Sequence, residues 1–115
     1  MKIEKWVPSE DQMCKLGKHY WSVARLLELS RNLKVMTIPL DHLHIAYTYD
    51  KLYLREMVMH MAAVNAADLE YPIILDEDGE LMDGMHRIMK ALLLNKKTIK
   101  AVRFEKNPPP CKEDE

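Results

Sequence analysis

The chain has 115 residues, 48% of them hydrophobic and 30% charged, with a formal net charge of −1. That composition fits one small globular domain with a modest core and excludes a disordered chain. Near-neutral charge also argues against a protein whose whole task is to grip duplex DNA, which would carry a basic excess.

The runs "MVMHMAAV" and "YPIIL" are too short to span a bilayer, and "MKIEKWVPSEDQ" lacks the apolar stretch of a secretory signal. A cytoplasmic location with no membrane partner is the resulting expectation. The two cysteines, Cys14 and Cys111, form no CxxC pair, so neither a zinc site nor a disulfide framework is expected.

In chain order, Ser9 has the spacing of a capping-box residue with Gln12, and Glu10 and Asp11 follow it. Met13, Leu16, Tyr20, Val23 and Leu27 then recur at helical spacing, predicting a first helix to about Leu29 despite the cost of Gly17 inside it. Residues 1–35 thus read as a helical extension. Trp6, Tyr20 and Trp21 would make it a packing arm or the surface of a homodimer.

"KVMTIPL" reads as a strand with Pro39 at its end or edge, followed by irregular chain through "DHLHIAYTYD". A second helix is predicted from near Lys51 to Ala66. Its inward stripe would be Leu54, Met57, Val58, Met61 and Val64 or Asn65. "YPIILDEDGELMD" has two apolar runs around an acidic turn in which Gly79 can take positive φ, so it predicts a hairpin.

Asp83 would cap a third helix through "MHRIMKALLL", with Asn95 at its left-handed stop. "TIKAVRF" is the last strand, and residues 106–115, with a three-proline run, read as a flexible, solvated tail. These elements predict an α+β domain, helices packed on a short mixed sheet over residues 36–105.

Several residue groups invite a chemical reading alongside an ordinary one. His42 and His44 with Asp41 suggest a metal site or surface histidines. His60 reads as a core or boundary histidine, and "DEDGE" as solubility charges on the hairpin. Lys96, Lys97, Lys100 and Arg103 could meet nucleic acid or simply protect a strand edge. Tyr47, Tyr49 and Tyr53 could stack on a base or seal a loop. The nine methionines read as adaptable core filler.

The stretch "ELMDGMHRIMKALLLN" concentrates more chemistry than any other. It puts His86 and Arg87 in the first turn of a helix, where backbone N–H groups already make a positive end. Cations there either tolerate a local conflict or hold an anion. Gly84 would let a ligand approach the backbone, and the first-turn amides, including that of Met85, would point at it. Arg87 offers a planar fork for phosphate oxygens, His86 further donors, and Lys90 lies on the face of His86. The ordinary reading makes Asp83 a cap, Gly84 a turn residue and Arg87 a surface partner of Glu80 or Asp83.

"IPLDHL", the helix before "YPIILDEDGELMDGMHR", and "IMKALLLNKKTIKAVRF" resemble, in this order, the blocks of the ParB/sulfiredoxin-like superfamily. The resemblance covers about residues 36 to 104, and the DG-x-HR segment is its most specific part. It implies a helix start that contacts nucleotide phosphates, with ATP, ADP or CTP and Mg as cofactors. Members include ParB proteins that hydrolyse CTP, sulfiredoxins that use ATP, free-serine kinases that use ADP, and proteins regarded as nucleases.

By position, the resemblance makes Gly84, Met85, His86, Arg87 and Lys90 the phosphate-binding set. Asp83 would orient a metal-bound water or an acceptor hydroxyl, and Asp41 would be an acceptor-side base. Sulfiredoxins carry a reactive cysteine where this chain has Met85, which offers no thiolate. The expected activity is therefore phosphoryl transfer or nucleotide hydrolysis, with a DNA-associated or nuclease role and a non-catalytic binding module as alternatives. The downstream DNA-reading domain of ParB proteins has no counterpart here, so partitioning in the full sense is not expected.

Overall fold

A computed structural model describes residues 13–43 and 52–113. The fold is α+β, with two sheets and three α-helices among the described residues. Strands β1 (Met13–Leu16) and β2 (His19–Ser22) form a hairpin and lead into α1 (Val23–Leu29). Then come β3 (Met36–Pro39), α2 (Leu54–Ala66), β4 (Ile73–Leu75), β5 (Leu81–Asp83), α3 (Met85–Leu93), β6 (Thr98–Arg103) and β7 (Lys112–Glu113).

The four-stranded sheet has the order β3-β6-β4-β5, with β4 parallel to β6 and the other pairs antiparallel. Pro39 lies on edge strand β3, where its missing N–H is tolerated. Strand β4 is buried along its whole length because the sheet is covered on both faces. On one face Ile73, Leu75, Leu81, Ile99 and Ala101 pack with Ile88 and Ala91 of α3. On the other, Ile74, Met82, Val102 and Phe104 pack with Cys14, Trp21 and Leu26. The alternation along β4, β5 and β6 thus sends successive residues to opposite cores.

The first predicted helix is corrected over Met13–Ser22, which is a hairpin turning at Gly17 (φ 61°) and Lys18. Cys14 and Trp21 face each other across it and are buried, whereas Met13 is exposed. Period-two burial around a left-handed glycine outweighs the helical spacing. Only Val23–Leu29 is helical, and its cap is Ser22, whose Oγ accepts from the Arg25 amide at 3.1 Å. Cys14 therefore lies on a strand, and Trp21 packs in a core. Ser9, Trp6 and the other residues before Met13 lie outside the described residues, as do His44, Tyr47 and Tyr49.

The expected inward stripe of α2 is also corrected. Leu54, Met57, Val58 and Met61 are exposed, and only Val64 of that stripe is buried. The helix docks through the neighbouring stripe instead, with His60 and Ala63 half-buried beside Val64. Core filling by methionine holds for Met82 and Met85, not for Met57, Met59 and Met61.

The predicted hairpin is present, with Gly79 at φ 85°. Asp76 departs from the solubility reading: it is buried, and its carboxylate accepts from the amides of Asp78 (2.9 Å) and Glu80 (2.8 Å). It organises the turn as an Asx residue does. Asn95 takes φ 55° after α3, the expected left-handed stop.

The tail expectation is corrected too. Lys112 and Glu113 pair with Tyr20 and His19, forming the third strand of the smaller sheet, order β1-β2-β7. The proline run, which lacks donors, is held through its carbonyls. Trp21 Nε1 donates to Pro108 at 2.9 Å and Arg25 to Pro109 at 3.0 Å. No helix among the described residues is long and apolar enough to cross a membrane.

Candidate functional site at the start of helix α3

Strand β5 ends at Asp83, and the chain turns through Gly84 straight into α3. The helix cap is Gly84, at φ 118° and ψ 20°, not Asp83 as the sequence suggested. The Asp83 carboxylate is engaged elsewhere, which leaves the first turn without a side-chain cap. The first intrahelical bond runs from Ile88 N to Gly84 O at 3.0 Å, so the first-turn amides find no acceptor within the helix.

Gly84 is buried against Ile73. A Cβ at this position would lie 2.5 Å from Ile73 Cγ2, 2.9 Å from its Cβ and 3.2 Å from its Cα. The glycine that the sequence offered as room for a ligand is thus required by the packing of helix on strand.

The two cations of the corner, Arg87 and Lys90, are tied to the protein itself. Arg87 bridges three acceptors: the Asp83 carboxylate at 2.7 Å and the carbonyls of Pro72 at 2.6 Å and Tyr71 at 3.3 Å. The Asp83 and Arg87 side chains are each 15% exposed, so this pair is shielded from solvent. Lys90 donates to the carbonyls of Asn65 (3.0 Å) and Ala67 (2.6 Å) at the end of α2, a favourable place for a cation. These contacts clamp α3 to the end of α2.

His86 meets a residue that the sequence did not connect with it. His60 Nδ1 on α2 lies 2.9 Å from His86 Nε2, with the rings tilted and their centroids 5.2 Å apart. Burial pushes the His86 imidazole below its ordinary value, and so does His60; Asp83 opposes this and Arg87 adds to it. A neutral His86 near pH 7 follows, sharing one proton with His60 in their hydrogen bond.

The remaining candidates stand apart. Asp41 is exposed in the short 3-10 turn Leu40–His42, beside the start of β6 through the bond from Leu40 N to Lys97 O (3.0 Å). No hydrogen bond or ion pair among the described residues joins Asp41 to the corner. In the basic stretch, Lys100 pairs with Glu70 at 2.6 Å, and Arg103 donates to the Glu77 carbonyl. Tyr53 is exposed. Among the described residues no group of three or more His, Cys, Asp or Glu side chains could hold a metal ion.

Asp83 is the carboxylate that would approach a metal-bound water, and its salt bridge to Arg87 makes it a poor match to that task.

What the corner presents as a unit is a helix start braced by Asp83–Arg87, with two imidazoles meeting at its first turn. Compared with protein-family models, with curated proteins and with solved structures, the chain matches none.

Proposed function

We propose that this chain is a phosphate-binding domain of the ParB/sulfiredoxin-like kind, taking a nucleotide or a phosphorylated small molecule at the first turn of α3. The observation that carries the reading is the strand-to-helix junction at Gly84. Its first-turn amides have no acceptor within the helix, and His86 of that turn meets His60; both support the reading. An anion there would accept from the amides and favour the protonated form of the imidazole pair, making it a charge-assisted donor.

In this reading Arg87 is a positioning residue. Its guanidinium fixes Asp83 and the Tyr71–Pro72 carbonyls, and so fixes the helix start. Asp83 is neutralised by that contact, so recognition without turnover is preferred here over phosphoryl transfer.

The test is thermal unfolding with ATP, ADP, CTP, GTP and pyrophosphate, each with and without Mg²⁺. A ligand at about 100 times its Kd adds about 2.7 kcal/mol to stability, and the melting point rises accordingly. His86→Asn should abolish that rise while the unliganded chain still melts cooperatively. No rise with any phosphate compound at millimolar concentration would overturn the reading. Phosphate release would restore the enzymatic alternative.

A further inference from the structure

Helix α2 carries two apolar stripes, and the fold uses one. The docked stripe has small or polar members, His60, Ala63 and Val64, which lie on α3. The other, Leu54, Val58 and Met61 with Met57 and Met59 beside it, faces outward; Leu54 is 76% exposed and Met59 70%. From Met57 to Ala67 the sequence holds no acidic or basic residue except His60. A solvated helix face normally carries several charges, and beyond Arg55 and Glu56 in its first turn this one has none.

We infer that the outward face of α2 is the interface of a homodimer, in which α2 of one chain packs antiparallel on α2 of a second copy. Two features single out a second copy. The first is area. The exposed side chains together offer on the order of 600 Å², at the upper end for a monomer's largest patch and most of the roughly 800 Å² each partner gives to a stable pair.

The second is charge and symmetry. Nucleic acid or an anionic bilayer would need a basic face, and this one offers the single cation Arg55 beside Glu56, whereas an apolar surface is complementary to itself. Leu54, Val58 and Met61 are spaced four and three residues apart, the stagger of a coiled-coil seam. A two-fold axis near Val58 sets Leu54 of each chain against Met61 of the other and closes the interface after two copies. The dimer therefore does not depend on the phosphate reading.

Sedimentation equilibrium of the full chain is the test, run without phosphate compounds from about 1 to 100 μM. The expected result is a monomer–dimer equilibrium. The double variant Val58→Glu, Met61→Glu should weaken it by about tenfold or more, with an unchanged circular dichroism spectrum because both side chains are exposed in the monomer.

If that variant does not fold, Val58→Cys in a Cys111→Ser background decides the matter. Oxidation should give a covalent dimer at low concentration, and failure to cross-link overturns the inference. A monomer throughout the range overturns it as well, as does a dimer indifferent to the glutamates. Binding to phosphatidylcholine vesicles by a monomeric chain would reassign the face to a bilayer.

Discussion

His60 of α2 and His86 of α3 face each other nitrogen to nitrogen at 2.9 Å, and this contact makes the docking of the two helices sensitive to acid. The neutral pair shares one hydrogen bond; protonating both rings would place like charges in contact beside Arg87, with only Asp83, itself paired, to offset them.

The pH dependence follows from the direction of the His86 shift. Its folded-state value lies below the ordinary 6.5, so in that interval the unfolded chain binds more protons. The contribution is fully present above pH 6.5 and is lost as pH falls through the lower, folded value. Urea unfolding at a series of pH values from 7.5 to 5 should show declining stability. His60→Gln, which keeps a hydrogen-bonding group without a charge, should flatten the curve. A wild-type curve that is level or rises toward acid would refute the shared-proton description.

Gly84→Ala should destabilise the fold by roughly 2–4 kcal/mol, combining left-handed backbone strain with overpacking. The obstructing atoms include Ile73 Cα, so a rotamer change cannot clear the space. In the Ile73→Ala background the penalty should shrink but persist, because φ stays at 118°. Denaturant midpoints of the four chains measure both parts, and a neutral Gly84→Ala would mean that helix and strand are farther apart than described.

Arg87→Lys should lose most of what Arg87→Ala loses, about 2 kcal/mol. A single ammonium cannot serve Asp83, Pro72 and Tyr71 at once as the planar fork does. Adding Asp83→Asn to Arg87→Ala should cost less than the two separate losses combined, since both break the same pair. Full rescue by lysine would show that charge alone matters.

The segment from Ile73 to Arg103 was the most legible in the sequence because its signals are local. Gly79 marks a turn, Gly84 a corner and Asn95 a stop, and each takes positive φ. The stretch before α1 was misread because Met13, Leu16, Tyr20 and Val23 also satisfy a helical period. The decisive feature was Gly17, whose helix cost is in fact a turn preference.

At the candidate site the location of Gly84, His86 and Arg87 could be read, but their partners could not. The carbonyls of Asn65, Ala67, Tyr71 and Pro72 are backbone groups with no sequence signature, and His60 is separated from His86 by 26 positions. The direction in which α2 turns its larger apolar side chains was equally hidden, because both stripes of that helix are apolar.

The contact between Trp21 and Pro108 spans 87 positions, and β7 closes the same gap by pairing with β2. The core containing Cys14, Trp21 and Leu26 also draws on Ile74, Met82, Val102 and Phe104, so it joins segments far apart in sequence. Such long-separated pairing slows the search for the native state. Closure of this face therefore waits on the ends of a long loop of chain finding each other, after the more local pairings have formed.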